Sequence, residues 1–88
     1  MDEKYAIQVI FDESDKKNRV GYLCYSWLKE CYYLTYELLN CNLYYSFKET
    51  VLNNIEKDKE FIIDNIEGIN DRKIISMNVV KVKAEIVR

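Results

Sequence analysis

At 88 residues, with 49% hydrophobic and 32% charged side chains, the chain has the make-up of one folded domain (1–88) with a modest core, not of a disordered tail. Thirteen basic against fifteen acidic residues leave a net charge of −2, which lacks the basic surplus of a phosphate-binding surface and is too slight to imitate a nucleic-acid strand. No histidine and no proline occur, and Gly21 and Gly68 are the only glycines; this excludes the commonest general base and any glycine-rich phosphate loop, and favours long regular elements.

The first element predicted is a strand over residues 4–12. There Tyr5, Ile7, Val9 and Phe11 alternate with Lys4, Gln8 and Asp12 at the two-residue period of a pleated chain. The charged run 12–19 reads as a loop. Val20 to Trp27 reads as a second strand with Val20, Tyr22 and Cys24 on one side and Leu23, Tyr25 and Trp27 on the other; with two apolar faces it is central in the sheet, or one face meets something outside the domain. Leu28, Lys29 and Glu30 form a tight connection to a third strand, Cys31 to Leu38. Trp27, Cys31, Leu34 and Leu38 also recur at helical spacing, so 27–39 reads as strand or helix, with the tyrosine and threonine content favouring strand. Ser46 to Glu49 has the spacing of a capping box opening a helix whose buried stripe is Phe47, Val51 and Ile55 with Leu52 beside them, then Phe61, Ile62, Ile66 and Ile69. Lys57 to Glu60 interrupts that stripe, so 47–69 is one long helix or two short ones, ending near Gly68. In the last segment Ile75, Met77 and Val79 precede Val80, Val82, Ala84 and Ile86 on the opposite parity, which predicts a bulge or bend near Asn78–Val79. The order β-β-β-α-β gives an α+β fold, a small antiparallel sheet with its helix or helices on one face.

Nearly all the aromatic character falls between Val20 and Phe47, including seven of the eight tyrosines, the one tryptophan and all three cysteines. Tyrosine and tryptophan offer large rigid contact area with a polar tip and are enriched where proteins bind proteins. Tyr32, Leu34 and Tyr36 are assigned to the core. Tyr22, Tyr25, Trp27, Tyr33 and Tyr44, with the carboxylates Glu30 and Glu37, are the partner-binding candidates. No catalytic residue is assigned, because the paired carboxylates (Asp12 and Glu13; Glu56, Asp58 and Glu60) lie in solvated charge runs. Cys24, Cys31 and Cys41 lack a C-x-x-C pair and a histidine, so they read as buried reduced thiols and no metal or cofactor is expected. Lys29 is the only basic residue in the aromatic band, and Glu85 interrupts the basic stripe Lys81, Lys83 and Arg88; both disfavour direct nucleic-acid binding. The charged start MDEKYAIQ and the lack of an apolar run near the ~18 residues of a membrane span predict a cytoplasmic protein.

The opening strand KYAIQVIFD, the GYL at 21–23, LYYSFKETVLNNI at 43–55 and the closing VVKVKAEIV at 79–87 together resemble the layout of small proteins encoded by bacteriophages and mobile elements of low-GC Gram-positive bacteria. That resemblance covers most of the chain but carries no site residue. It implies a non-enzymatic protein of the bacterial cytoplasm that binds and inhibits a host protein in a defence or regulatory complex, as anti-CRISPR inhibitors do. An accessory nucleic-acid binder or a self-assembling homodimer is the alternative.

Overall fold

The computed structural model describes residues 3–14, 19–69 and 72–82. In chain order it contains β1 (Lys4–Phe11), β2 (Val20–Ser26), β3 (Cys31–Thr35), a 3₁₀ turn (Leu38–Asn40), α1 (Lys48–Asp64) and β4 (Ile74–Val82). The strands form one antiparallel sheet in the order β3-β2-β1-β4, which is the expected α+β architecture.

Both faces of the sheet are covered, by different pieces of chain. Period-two alternation sends Ile7, Val9, Phe11, Leu23 and Met77 to the face where Val51 and Ile62 of α1 and the following Ile66 pack on them. The opposite face gathers Ala6, Cys24 and Val82 beneath Cys41, with Tyr22, Tyr33, Leu38, Tyr44 and Val80 around them. The two apolar faces of β2 thus have a physical outlet, since Leu23 and Cys24 are both fully buried on opposite sides. Burying a side chain such as Leu23 contributes roughly 1.5–3 kcal/mol.

The two-sided cover also explains β4. No bulge occurs at Asn78–Val79, for pairing with β1 runs unbroken from Lys4↔Val82 to Ile10↔Ser76. Met77 and Val79 face the helix, while Val80 and Val82 face the 38–44 segment, so the apolar parity changes along a regular strand. The register shift lies instead between Ile10 and Phe11, where Ile75 is the extra residue and is 55% exposed. The predicted positions of Ala84 and Ile86, and of the stripe residues Lys83 and Arg88, lie outside the described residues, as does part of the 12–19 loop.

β1 and β2 pair only over Gln8–Ile10 and Val20–Tyr22, and beyond that point the chain at 41–45 fills the space between them. On the β2 side the Asn42 amide donates to the Tyr25 carbonyl (2.9 Å), and its oxygen accepts from the Tyr25 N–H (3.0 Å). On the β1 side Tyr45 and Tyr5 exchange two backbone hydrogen bonds of 2.8 Å. Backbone groups that a wider β1–β2 pairing would satisfy are thereby satisfied by the linker.

That bridge changes the helix start. Tyr45 is held against Tyr5, Phe47 takes the N-cap position, and no side chain caps the helix, so the predicted Ser46–Glu49 box does not form. Ser46→Ala should therefore shift stability by less than ~0.5 kcal/mol, the range of an uninvolved surface site, where a working cap would cost ~1 kcal/mol; chemical denaturation distinguishes the two. α1 is one helix, since the charged middle 56–60 is wholly exposed and the ladder passes through it. It ends at Asp64, before the expected Gly68, with the Asn65 amide donating to the Phe61 carbonyl at 2.7 Å. Gly68 still serves a turn, at φ +78°. Tyr32 of β3 then donates to the Asn65 carbonyl (2.9 Å) and accepts from the Glu67 N–H (2.7 Å), which ties the helix exit to the outer edge of the sheet. No helix among the described residues is long and apolar enough to cross a membrane.

Candidate partner-binding groove

Three pieces of chain converge on a groove of about 310 Å³. The β2–β3 hairpin contributes Tyr25, Trp27, Glu30 and Tyr32; the linker between the sheet edge and α1 contributes Leu43 and Tyr45; the last turn of α1 and its cap contribute Phe61 and Asn65. Each arrives for a local reason. Strand pairing sets Tyr25 opposite Tyr32 on the helix-bearing face, where their rings meet edge to face at 5.0 Å. Trp27 is not the last residue of β2 but the first of a four-residue turn, 27–30, and its ring meets Tyr25 at 4.6 Å. The Ser26 hydroxyl accepts from the Lys29 N–H at 3.2 Å within that turn. Phe61 lies about 100° around the helix from Ile62, so when Ile62 is buried Phe61 is left 63% exposed beside the groove. Phe47 and Leu52, likewise expected in the buried stripe, are 68% and 45% exposed in the first turns of the helix.

The groove is apolar in lining with one formal charge, Glu30, whose backbone has φ +52°. Its neighbour Lys29 is engaged elsewhere, with Nζ 3.2 Å from the Glu67 carboxylate. Desolvation raises the hydroxyl pKa of Tyr32, and the charge of Asp58 on α1 adds to the rise; desolvation likewise raises that of Tyr45. Both phenols therefore stay neutral in ordinary buffer.

Of the seven candidates read from sequence, the fold brings Tyr25, Trp27 and Glu30 together here. It places Tyr22, Tyr33 and Tyr44 on the opposite face, half-buried around Cys24 and Cys41, with the Tyr44 hydroxyl donating to the Leu38 carbonyl at 3.0 Å. Glu37 sits apart in the connector, accepting from the Asn40 amide at 3.0 Å. Tyr32 and Leu34 are half-buried as packing residues should be, whereas Tyr36 is not core: it is 47% exposed, and its hydroxyl accepts from Arg72 at 2.6 Å. Tyr32, Tyr45, Phe61, Leu43 and Asn65 were missed as groove residues. A four-residue turn sets Tyr25 opposite Tyr32; the three-residue connection predicted from sequence would have set it opposite Tyr33.

Two of the three thiols are buried as expected, and Cys31 is not. Cys24 and Cys41 are buried, Cys31 is half-buried, and all three are free. Burial, the largest cause, pushes the Cys41 thiol up to about 11, and its S–H donates to the Leu23 carbonyl at 3.1 Å. A folded-state pKa above the unfolded value contributes stability that is complete below about pH 8.5, the pKa of a free thiol, and is lost as pH rises through about 11. With an aromatic disulfide reagent at pH 8, Cys31 should react in the native state, while Cys24 and Cys41 should react only at the rate of global unfolding. Three equally fast thiols would contradict the burial. Among the described residues no three cysteine, aspartate or glutamate side chains gather as a metal site.

Comparison with protein-family models, with curated proteins and with solved structures yields no match to this chain.

Proposed function

We propose that this protein works without catalysis, by binding a host protein stoichiometrically through the aromatic groove and the hairpin tip beside it, in the manner of a phage-encoded inhibitor of a defence complex such as a CRISPR effector. The observation that carries the reading is the juxtaposition of Tyr25, Tyr32, Tyr45 and Phe61 in the groove with Trp27, which lines it at 79% exposure and is followed in the turn by Leu28, 94% exposed. A concavity lined by half-buried Tyr25, Tyr32 and Tyr45 and flanked by the exposed rings of Trp27 and Phe61 is the kind of patch that supplies most of the energy in protein interfaces. The phage-type layout of the sequence supports the choice of a host protein as target.

The test is capture from lysate of a low-GC Gram-positive host, with the retained protein identified and then re-tested in purified form. A single retained partner, lost with Trp27→Ala and kept with Leu39→Ala, is the expected result. Leu39 is equally exposed, at 83%, but does not line the groove. Failure to retain any protein sinks the proposal. Self-association is the second reading, favoured by β4, which ends the sheet with no strand paired to its outer edge among the described residues. Sedimentation at micromolar concentration separates the readings, since a strict monomer excludes the homodimer.

A further inference from the structure

We infer that the groove receives an arginine side chain of the bound protein, its guanidinium lying on the aromatic rings and pairing with the Glu30 carboxylate. This rests on the protein-binding reading above and names the group that enters.

Three observations support a cation. The lining is five aromatic rings with a single charged group, and that group is an acid. Ring faces carry negative potential, so an aromatic enclosure with one carboxylate favours a positive guest over a neutral or anionic one. Among the described residues the Glu30 carboxylate has no ion pair, and Asp58 on α1 adds negative potential near Tyr32. A purely apolar guest would bury part of Glu30 without compensation, at a desolvation cost.

Arginine is preferred to lysine on geometry. Its planar group stacks on rings while its N–H fork meets a carboxylate side-on, and it sheds water more readily than an ammonium does. The chain already contains this arrangement satisfied from within. At the far end of β1 the Arg72 guanidinium lies 3.8 Å from the Phe11 ring centre and 5.9 Å from that of Tyr36, with Nε 3.5 Å from the Glu13 carboxylate. There, rings and a glutamate hold an arginine of the same chain; in the groove, rings and a glutamate hold none. Glu30 does not stand at the rim through its own backbone preference, because a left-handed residue with a Cβ costs about 1–2 kcal/mol. The hairpin imposes it.

The test uses the whole protein and the blocked peptides Gly-Gly-Xaa-Gly-Gly with arginine, lysine or citrulline at the centre, citrulline being the neutral counterpart of arginine. Trp27 is the only tryptophan, so its emission and its indole N–H resonance report the groove alone. The arginine peptide should titrate saturably, about tenfold tighter than citrulline. Glu30→Gln should weaken that preference, leaving only the part the ring faces supply, and leave citrulline binding unchanged. Equal binding of arginine and citrulline, equal binding of arginine and lysine, or no titration at all overturns the inference. If partner capture is lost in Trp27→Ala, unchanged in Glu30→Gln, and arginine does not titrate, the inference fails while the protein-binding reading stands. Capture unchanged in both variants overturns the reading itself.

Discussion

Phe11→Ala should remove about 3–5 kcal/mol of folding stability, the largest loss expected from a single truncation in this chain. Phe11 closes the helix-bearing core at the end of β1, where it is fully buried and paired with Ile74 just past the Ile75 bulge. Truncation opens a cavity that a strand anchored on both sides cannot collapse. It also takes the ring from beneath Arg72, whose guanidinium links the end of β1 to Tyr36 beyond β3. A domain's whole stability is roughly 5–15 kcal/mol, so the variant should be partly unfolded at 37 °C. Urea denaturation followed by circular dichroism should show a lower midpoint at unchanged slope. Phe61→Ala is the internal control: the same residue type, 63% exposed, should cost less than ~1 kcal/mol. Equal losses at the two positions would refute the assignment of core and surface.

Trp27→Ala should give the opposite profile, with stability changed by less than ~0.5 kcal/mol and partner affinity reduced by ~2 kcal/mol or more, about thirtyfold. Trp27 sits in the turn at 79% exposure and rests on Tyr25 alone among the ring contacts, so the fold asks little of it. In a complex it would be the largest side chain at the groove mouth, and its truncation would leave the Tyr25 edge facing solvent. Isothermal titration against the purified partner, beside denaturation of the free variant, reads both quantities. An affinity unchanged within error would move the binding surface elsewhere, to the Leu39 side or the β4 edge.

The aromatic residues show where reading the chain stops. Alternation placed Leu23, Tyr25 and Trp27 on one face of β2 and Tyr22 and Cys24 on the other, and the parities of Tyr22 to Tyr25 hold. Parity does not reveal what covers each face. Period and composition place Tyr22 and Tyr33 at a binding surface as readily as Tyr25, but the 38–44 segment, Tyr44 included, packs against their face. Turn length mattered equally, for one residue more in the hairpin turned Tyr25 from Tyr33 to Tyr32, because a one-step register change moves a side chain to the other face. Tyr45 and Phe61 were out of reach because they approach the hairpin from 13 and 29 residues beyond Tyr32, through contacts that no local pattern encodes.

The amino-acid sequence by itself determined the α+β class, the β-β-β-α-β order, the two apolar faces of β2 and the absence of histidine and of a glycine-rich loop, because these follow from period, composition and spacing along the chain. Only the tertiary structure decided that β4 runs straight with its apolar faces shared between two covers, that Tyr45 bridges to β1 in place of a serine cap, and that rings from hairpin, linker and helix meet in one groove. Those outcomes depend on backbone hydrogen bonds between distant segments, and on which face each segment finds uncovered.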